Sequence, residues 1–278
     1  MSYKTLLVHL DTSQRAQARL DVALRLARRF DAHLTGIFAT FVPDPRSFYL
    51  MAGSADYFDS QRQTRDEQRA AIERLFHAEL TRAGVEGQWL APAEYANEAV
   101  IRASRGADLV IAGQADPEDP EAYLGDRFPE DLVMSSGRPV LVIPYAGRYD
   151  PLGDRVLIAW DGSREAARAV HDALPLLLFA SRVSVVRVST AGSPPKPQRP
   201  GLDIVDALAR HGVAVDAAGI VSDADETAGN ALLSYGADAG YDLVVMGAYG
   251  HARWQERMLG GVTRTMFESM TQPVLMSH

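Results

Sequence analysis

Short runs of aliphatic and β-branched residues alternate along the chain with longer stretches whose apolar positions return every three or four residues. KTLLVHLD, GADLVIAG and GRPVLVIPY are such runs in the first half, and RVLIAW, RVSVVRV, VAVDAAGI, YDLVVMG and PVLMSH in the second. Continuous apolar runs bounded by Gly, Pro and Asp suit strands buried on both faces, and their alternation with helical stretches predicts parallel strands covered by helices. In the second half SREAARAVHDALPLLLFA reads as a helix, with Ser163 placed to cap it and Glu165 in its first turn. LDIVDALARHG is a further helix ending at Gly212, followed by helices in ETAGNALLSYGADAG and GGVTRTMFESM. STAGSPPKPQRPG reads as a proline-rich loop, and Pro273 opens a final edge strand, where a missing donor costs least. The first half follows the same plan with one longer helical stretch, Ser54 to Gly84, whose charges read as a solvated face.

The two halves are repeats. KTLLVHLDTS resembles RVLIAWDGS, GADLVIAGQ matches GYDLVVMGA, and GRPVLVIPY matches TQPVLMSH, in the same order, with a seam near Gly147 to Asp154. The length of 278 residues accommodates two domains of roughly 100–150 residues. Domains are therefore expected over 1–147 and 151–278, each a doubly wound, five-stranded parallel α/β sheet. The apolar fifth strands PVLVIP and PVLMSH are poor candidates for exposed edges, so the two domains are expected to pack as a pseudo-dimer.

In a doubly wound sheet, ligands settle at the carboxyl ends of the strands where strand order reverses. If the first and fourth strands of the second repeat flank that point, Asp161 and Gly247 lie across one crevice. Gly247, Gly250, Gly260 and Gly261 would then let backbone N–H groups approach an anion, with the positive end of the following helix behind them. Arg253, Arg257, Arg264 and His251 add positive charge against the single acid Glu256. The plainer alternative is a strand-to-helix connection that needed small residues for packing.

Composition narrows the choice. A net charge of −8 opposes general nucleic-acid binding, which needs a basic face. With no cysteine, disulfides, thiolate metal sites and a cysteine nucleophile are excluded. The sequence has neither an apolar run of membrane-spanning length nor the apolar core of a secretion signal, so a cytoplasmic protein is expected. Phosphate-loop, serine-elbow and zinc-protease motifs are missing, and His9, His33, His77, His171, His211, His251 and His278 are dispersed without ligand spacing. No catalytic residue and no metal ligand is assigned, and any ATP hydrolysis is expected to be slow.

Asp-x-Ser after the first strand, and the spacing Gly247-x2-Gly250-x9-Gly260 between an apolar strand and VTRT, resemble the nucleotide-binding signature of universal stress proteins. The likeness covers essentially the whole chain and implies a tandem member of that family, with the Rossmann-like fold of adenine nucleotide alpha hydrolases. Carried over by position, it implies Asp161 and Val188 on the adenosine side, and Gly247, Gly250, Gly260, Gly261 and Val262 around the phosphates. The implied cofactor is ATP or another adenine nucleotide, with or without magnesium. Nucleotide binders of the family usually carry Ser or Thr where Gly261 stands. One charged hydrogen bond is thus missing, and its loss weakens binding by roughly ten- to a hundredfold. Trp160 could stack on a base, or simply pack.

The first repeat differs at this point. Its loop QADPEDPEAYLGDRFPEDL sets Asp116, Glu118, Asp119, Glu121, Asp126, Glu130 and Asp131 against Arg127 alone. This reads as a lost nucleotide site, although Asp11 keeps its place; a solvated acidic loop and a cation site are the alternatives. The resulting expectation is a cytoplasmic stress-response regulator that binds adenine nucleotide in its second domain. Its first domain would serve an unknown protein partner, as an intramolecular pseudo-dimer or a homodimer, with no nucleic acid or membrane involved. A nucleotide-independent scaffold and a weak ATP hydrolase are the other two readings.

Overall fold

A computed structural model of the chain describes residues 2–40, 55–92, 96–119, 124, 127–190, 203–222, 226–250 and 261–278. The chain divides into two compact units, Tyr3–Phe128 and Pro129–His278, the second also taking in Ser2. The N-terminal unit contains β1 (Thr5–Leu10), α1 (Ala16–Phe30), β2 (His33–Phe38), α2 (Ala55–Ala83), β3 (Gly87–Leu90), α3 (Ala96–Ser104) and β4 (Leu109–Gly113). Its strands lie in the order β3-β2-β1-β4, and the described pairings are parallel. Val8, Leu34, Leu109 and Ile111 are buried, which is why these strands read as unbroken apolar runs. The long helix predicted over Ser54 to Gly84 is α2, and Gly84 ends it in a left-handed conformation, φ +65°.

The C-terminal unit begins within α4 (Phe128–Ser135) and continues through β5 (Val140–Ile143) and β6 (Arg155–Ala159) to α5 (Arg164–Leu177). β7 (Arg182–Thr190), α6 (Ile204–Arg210), β8 (Val215–Ser222), α7 (Ala228–Asp238), β9 (Leu243–Gly247), α8 (Gly261–Ser269) and β10 (Val274–Ser277) follow. Its strand order is β5-β10-β9-β6-β7-β8. Strands β6 to β10 pair in parallel, in the doubly wound order expected of one repeat.

PVLMSH was expected to be the edge strand of its repeat but too apolar to stay exposed, and the pairing covers it. β10 is interior: it runs parallel to β9 on one side and antiparallel to β5, the fifth strand of the first repeat, on the other. Each fifth strand thus covers the other's apolar edge. The helix expected through Ala180 stops at Leu177, two residues after Pro175, where Phe179 N–H turns back to the Leu176 carbonyl and tightens the end. Residues 191–202, most of the proline-rich loop, lie outside the described residues.

The repeat is also visible in how each unit ties its strand starts together. Asp108, just before β4, accepts the backbone N–H groups of Lys4 and Thr5 at 2.7 and 2.9 Å. Asp242, its counterpart before β9, accepts those of Gly153, Asp154 and Arg155 at 2.8, 3.1 and 3.2 Å. One aspartate in each half thus satisfies donors that would otherwise be left open where the sheet begins.

Candidate nucleotide site

β6 and β9 are adjacent parallel strands, in register from Val156↔Leu243 to Ala159↔Met246. Strand order reverses between them, which creates a crevice beyond their carboxyl ends. The turn leaving β6 is tightly defined: Asp161 Oδ1 accepts the Ser163 N–H at 2.8 Å, Gly162 has φ +80°, and Ser163 caps α5 by accepting the Ala166 N–H at 3.1 Å. The Asp161 side chain is exposed. On the neighbouring strand, the Val186 carbonyl accepts the Trp160 N–H at 2.9 Å. Backbone groups along a strand change side with a period of two. Val188 therefore turns its N–H and C=O the same way, beside the point where the chain has left β6.

Gly247 ends β9 against the start of α5. A Cβ there would stand 2.4 Å from Ala166 N and 2.5 Å from the Glu165 carbonyl carbon, so only glycine lets strand and helix approach so closely. At Gly250 a Cβ would meet Ser163 Oγ at 2.8 Å and Glu165 Oε2 at 3.3 Å. Packing alone thus accounts for both residues. Between them Tyr249 adopts φ +57° and donates its N–H to Thr263 Oγ1 at 3.4 Å, tying the loop to the first turn of α8. Gly261 opens α8 with no described residue within 4 Å of its would-be Cβ, and Val262 follows, half-buried. Gly260, His251, Arg253, Glu256 and Arg257 lie outside the described residues. Arg264 is committed along α8 to Glu268, 2.6 Å away.

Glu165 was read from the sequence only as an acid in a first helical turn. It is in fact buried at the site, beside Gly247 and Gly250, and paired with the exposed Arg164. Burial raises its carboxyl pKa, but the hydrogen bond and charge of Arg164 outweigh this and hold it below the ordinary value. A carboxylate two positions after the cap, in a repeat whose other half carries Arg15 there, was the available signal.

The equivalent place in the N-terminal unit is closed. Asp11 is buried, 3% exposed. Its Oδ1 lies 2.5 Å from Arg19 Nη2 and accepts the Ser13 N–H at 3.0 Å and the Ser13 hydroxyl at 2.5 Å. The Nη2 contact is an ion pair without good N–H alignment. Arg19 Nε donates to the His9 carbonyl at 3.2 Å, and Nη1 lies 2.4 Å from where a Cβ on Gly113 would stand. The His9 ring bonds through Nε2 to the Ala39 carbonyl at 2.9 Å and packs edge-on against Phe128. Asp119, in the acidic loop, accepts the Gln14 N–H at 3.1 Å. Burial pushes the His9 pKa down. For Asp11 burial pushes upward, but Arg19, His9 and Ser13 more than reverse it. In the second repeat the positions of His9 and Arg19 hold Ala159 and Ala169. Glu121 and Asp126 of the acidic loop lie outside the described residues.

The sequence profile of the universal stress protein family matches residues 153–278, which span the whole crevice from β6 to β10. Residues 153–278 are a universal stress protein domain. Over its full length the chain has the fold of a universal stress protein from Archaeoglobus fulgidus DSM 4304. The two are 16% identical with a TM-score of 0.69, over 98% of this chain and 95% of the other. A functionally unknown protein from Pseudomonas aeruginosa PAO1 is similar at 14% identity and TM-score 0.60, over 99% of this chain and 92% of that one. A putative universal stress protein from Pseudomonas aeruginosa UCBPP-PA14 is similar at 15% identity and TM-score 0.58, over 99% and 93%. These likenesses extend the family's fold across both repeats. No curated protein matches the sequence. Among the described residues no helix is long and apolar enough to cross a membrane.

Proposed function

We propose that the chain is a tandem universal stress protein, a regulatory protein of the cytoplasm that binds one adenine nucleotide in its second repeat, residues 151–278, and acts in stress adaptation. The observation that carries the reading is Asp161, an exposed carboxylate fixed by the Ser163 N–H at the reversal point of a parallel sheet. A fixed carboxylate there suits the hydroxyls of a ribose. The backbone of Val188, turned toward the space beyond the end of β6, suits the edge of an adenine. Gly261 and Val262, at the positive end of α8, suit phosphate, joined by the N–H groups of Gly247 and Gly250. ATP, ADP and AMP share all three features, with or without magnesium. Catalysis beyond slow phosphate release is not part of this reading, and the first repeat, residues 1–147, serves association with a protein partner.

A second reading, a nucleotide-independent scaffold, is favoured by Gly247 and Gly250, whose small size packing already explains. Titration calorimetry of the full chain with ATP, ADP and AMP separates the two. The nucleotide reading expects one site per chain, weakened at least tenfold by Asp161→Ala. Absence of binding to any of the three at millimolar concentration would leave the scaffold.

A further inference from the structure

We infer that His9 and Arg19 are built-in occupants of the N-terminal unit's crevice, standing where the C-terminal unit carries alanines, so that the first repeat takes no nucleoside at any concentration. The inference rests on the proposed C-terminal site for the choice of nucleoside as the displaced ligand class.

The two crevices can be compared position by position. Ala39 occupies the place of Val188, and its carbonyl is engaged by His9 Nε2 at 2.9 Å. Asp11 occupies the place of Asp161, but it is buried beneath Arg19 instead of exposed. Gly113 occupies the place of Gly247, and the face that the Glu165 and Ala166 backbone covers at Gly247 is covered here by the Arg19 guanidinium. Two features that would receive a nucleoside in one repeat, the strand-end backbone and the carboxylate, are thus met by two side chains in the other. Where those side chains arise, the second repeat has only the methyl groups of Ala159 and Ala169.

An internal group competes at the high effective concentration of a tethered ligand. Separating a buried ion pair also leaves an uncompensated charge, which makes displacement still harder. The acidic loop is therefore not the main barrier, since it acts on phosphates, whereas His9 and Arg19 exclude the nucleoside itself. The first repeat keeps its filled form at every nucleotide level, and any response to nucleotide belongs to the second repeat alone.

The test is the full chain carrying His9→Ala and Arg19→Ala together, titrated with adenosine. Adenosine has no phosphate, so Asp116, Glu118 and Asp119 do not repel it. The expected result is one more adenosine bound per chain than by the wild type. A folded double variant with the wild-type stoichiometry overturns the inference. If the variant is only marginally folded, adenosine should raise its melting temperature more than that of the wild type, and no such difference equally overturns it. Because the readout is a difference, a wild type that binds none and a variant that binds one would sustain the inference while defeating the proposed C-terminal site.

Discussion

Leu141 lies directly opposite Leu275 at the centre of the antiparallel pair of fifth strands, with Val140 facing Met276 and Val142 facing Val274 on either side. In the repeat, Val140, Leu141 and Val142 correspond to Val274, Leu275 and Met276. Each residue therefore faces its counterpart reflected through the central leucines, as in the isologous contact of a two-fold dimer. Both leucines are fully buried. Leu141→Ala should cost about 2–5 kcal/mol, the range for a buried leucine whose cavity does not collapse. Urea denaturation of the C-terminal unit's signal measures it. A loss below about 0.5 kcal/mol, the scale of an ordinary surface change, would show that this strand pair is not part of the core.

The glycines of the crevice separate by what surrounds them. At Gly247 an added methyl would press into the backbone of α5, so Gly247→Ala should destabilise by about 1–3 kcal/mol or more, the usual cost of overpacking. Gly250 is a mixed test, because a side chain there meets Ser163 before it meets any ligand. Gly261 is clean: no described residue lies within 4 Å of its would-be Cβ, and its φ is not in the left-handed range. Gly261→Ser should leave melting without ligand nearly unchanged and tighten ATP binding by roughly ten- to a hundredfold, the worth of one charged hydrogen bond. Unchanged affinity by titration calorimetry would place phosphate elsewhere or nowhere.

The elements of this site were more legible in the sequence than the contacts that tune it. Strand ends, the Ser163 cap and the repeat all rest on local patterns: apolar runs, a hydroxyl before a helix, two matched segments. The adjacency of β6 and β9 entered the sequence reading only as a condition, because the alternation of strands and helices predicts parallel pairing and not strand order, and the pairing meets that condition. Arg19 was not legible as a site residue, because a base within an amphipathic helix normally points to water. Only the fold shows that this one turns inward to Asp11. Glu165 failed for the same reason, as an acid in a first turn is explained by the helix dipole without any burial. The cover over β10 was legible, because its apolar run argued against an exposed edge and for packing between the repeats, whereas its antiparallel pairing with β5 shows only in the fold.

Glu165 places a buried negative charge beside the loop proposed to hold phosphate, and its lowered pKa keeps it ionised at neutral pH. At an effective dielectric near 20, a charge several ångströms from a polyphosphate opposes it by about 1 kcal/mol or more. Glu165→Gln should therefore tighten ATP binding about fivefold while leaving adenosine binding unchanged, with the gain reduced at high salt. Equal effects on ATP and adenosine would mean that Glu165 acts through the fold of α5 and not through charge.

His9 and Asp11 give the N-terminal unit a two-step dependence on acid. The folded state holds the His9 pKa below 6.5, because burial disfavours its cation. Arg19 and Asp11 bear on it with opposite signs, and Phe128 packs its ring. As pH falls below 6.5, the unfolded chain takes up a proton that the folded chain resists, so stability declines, by at most about 1.4 kcal/mol per pH unit for one proton. Asp11 works lower on the scale. Its folded pKa lies below 3.8, so its contribution is complete above that value and is lost as pH drops through the folded one. His9→Gln keeps a donor for the Ala39 carbonyl but cannot titrate. Urea midpoints measured from pH 7.5 to 5 should slope downward in the wild type and run flatter in this variant, while both fall together below pH 4. Parallel slopes across the upper range would mean that His9 is not the group resisting protonation.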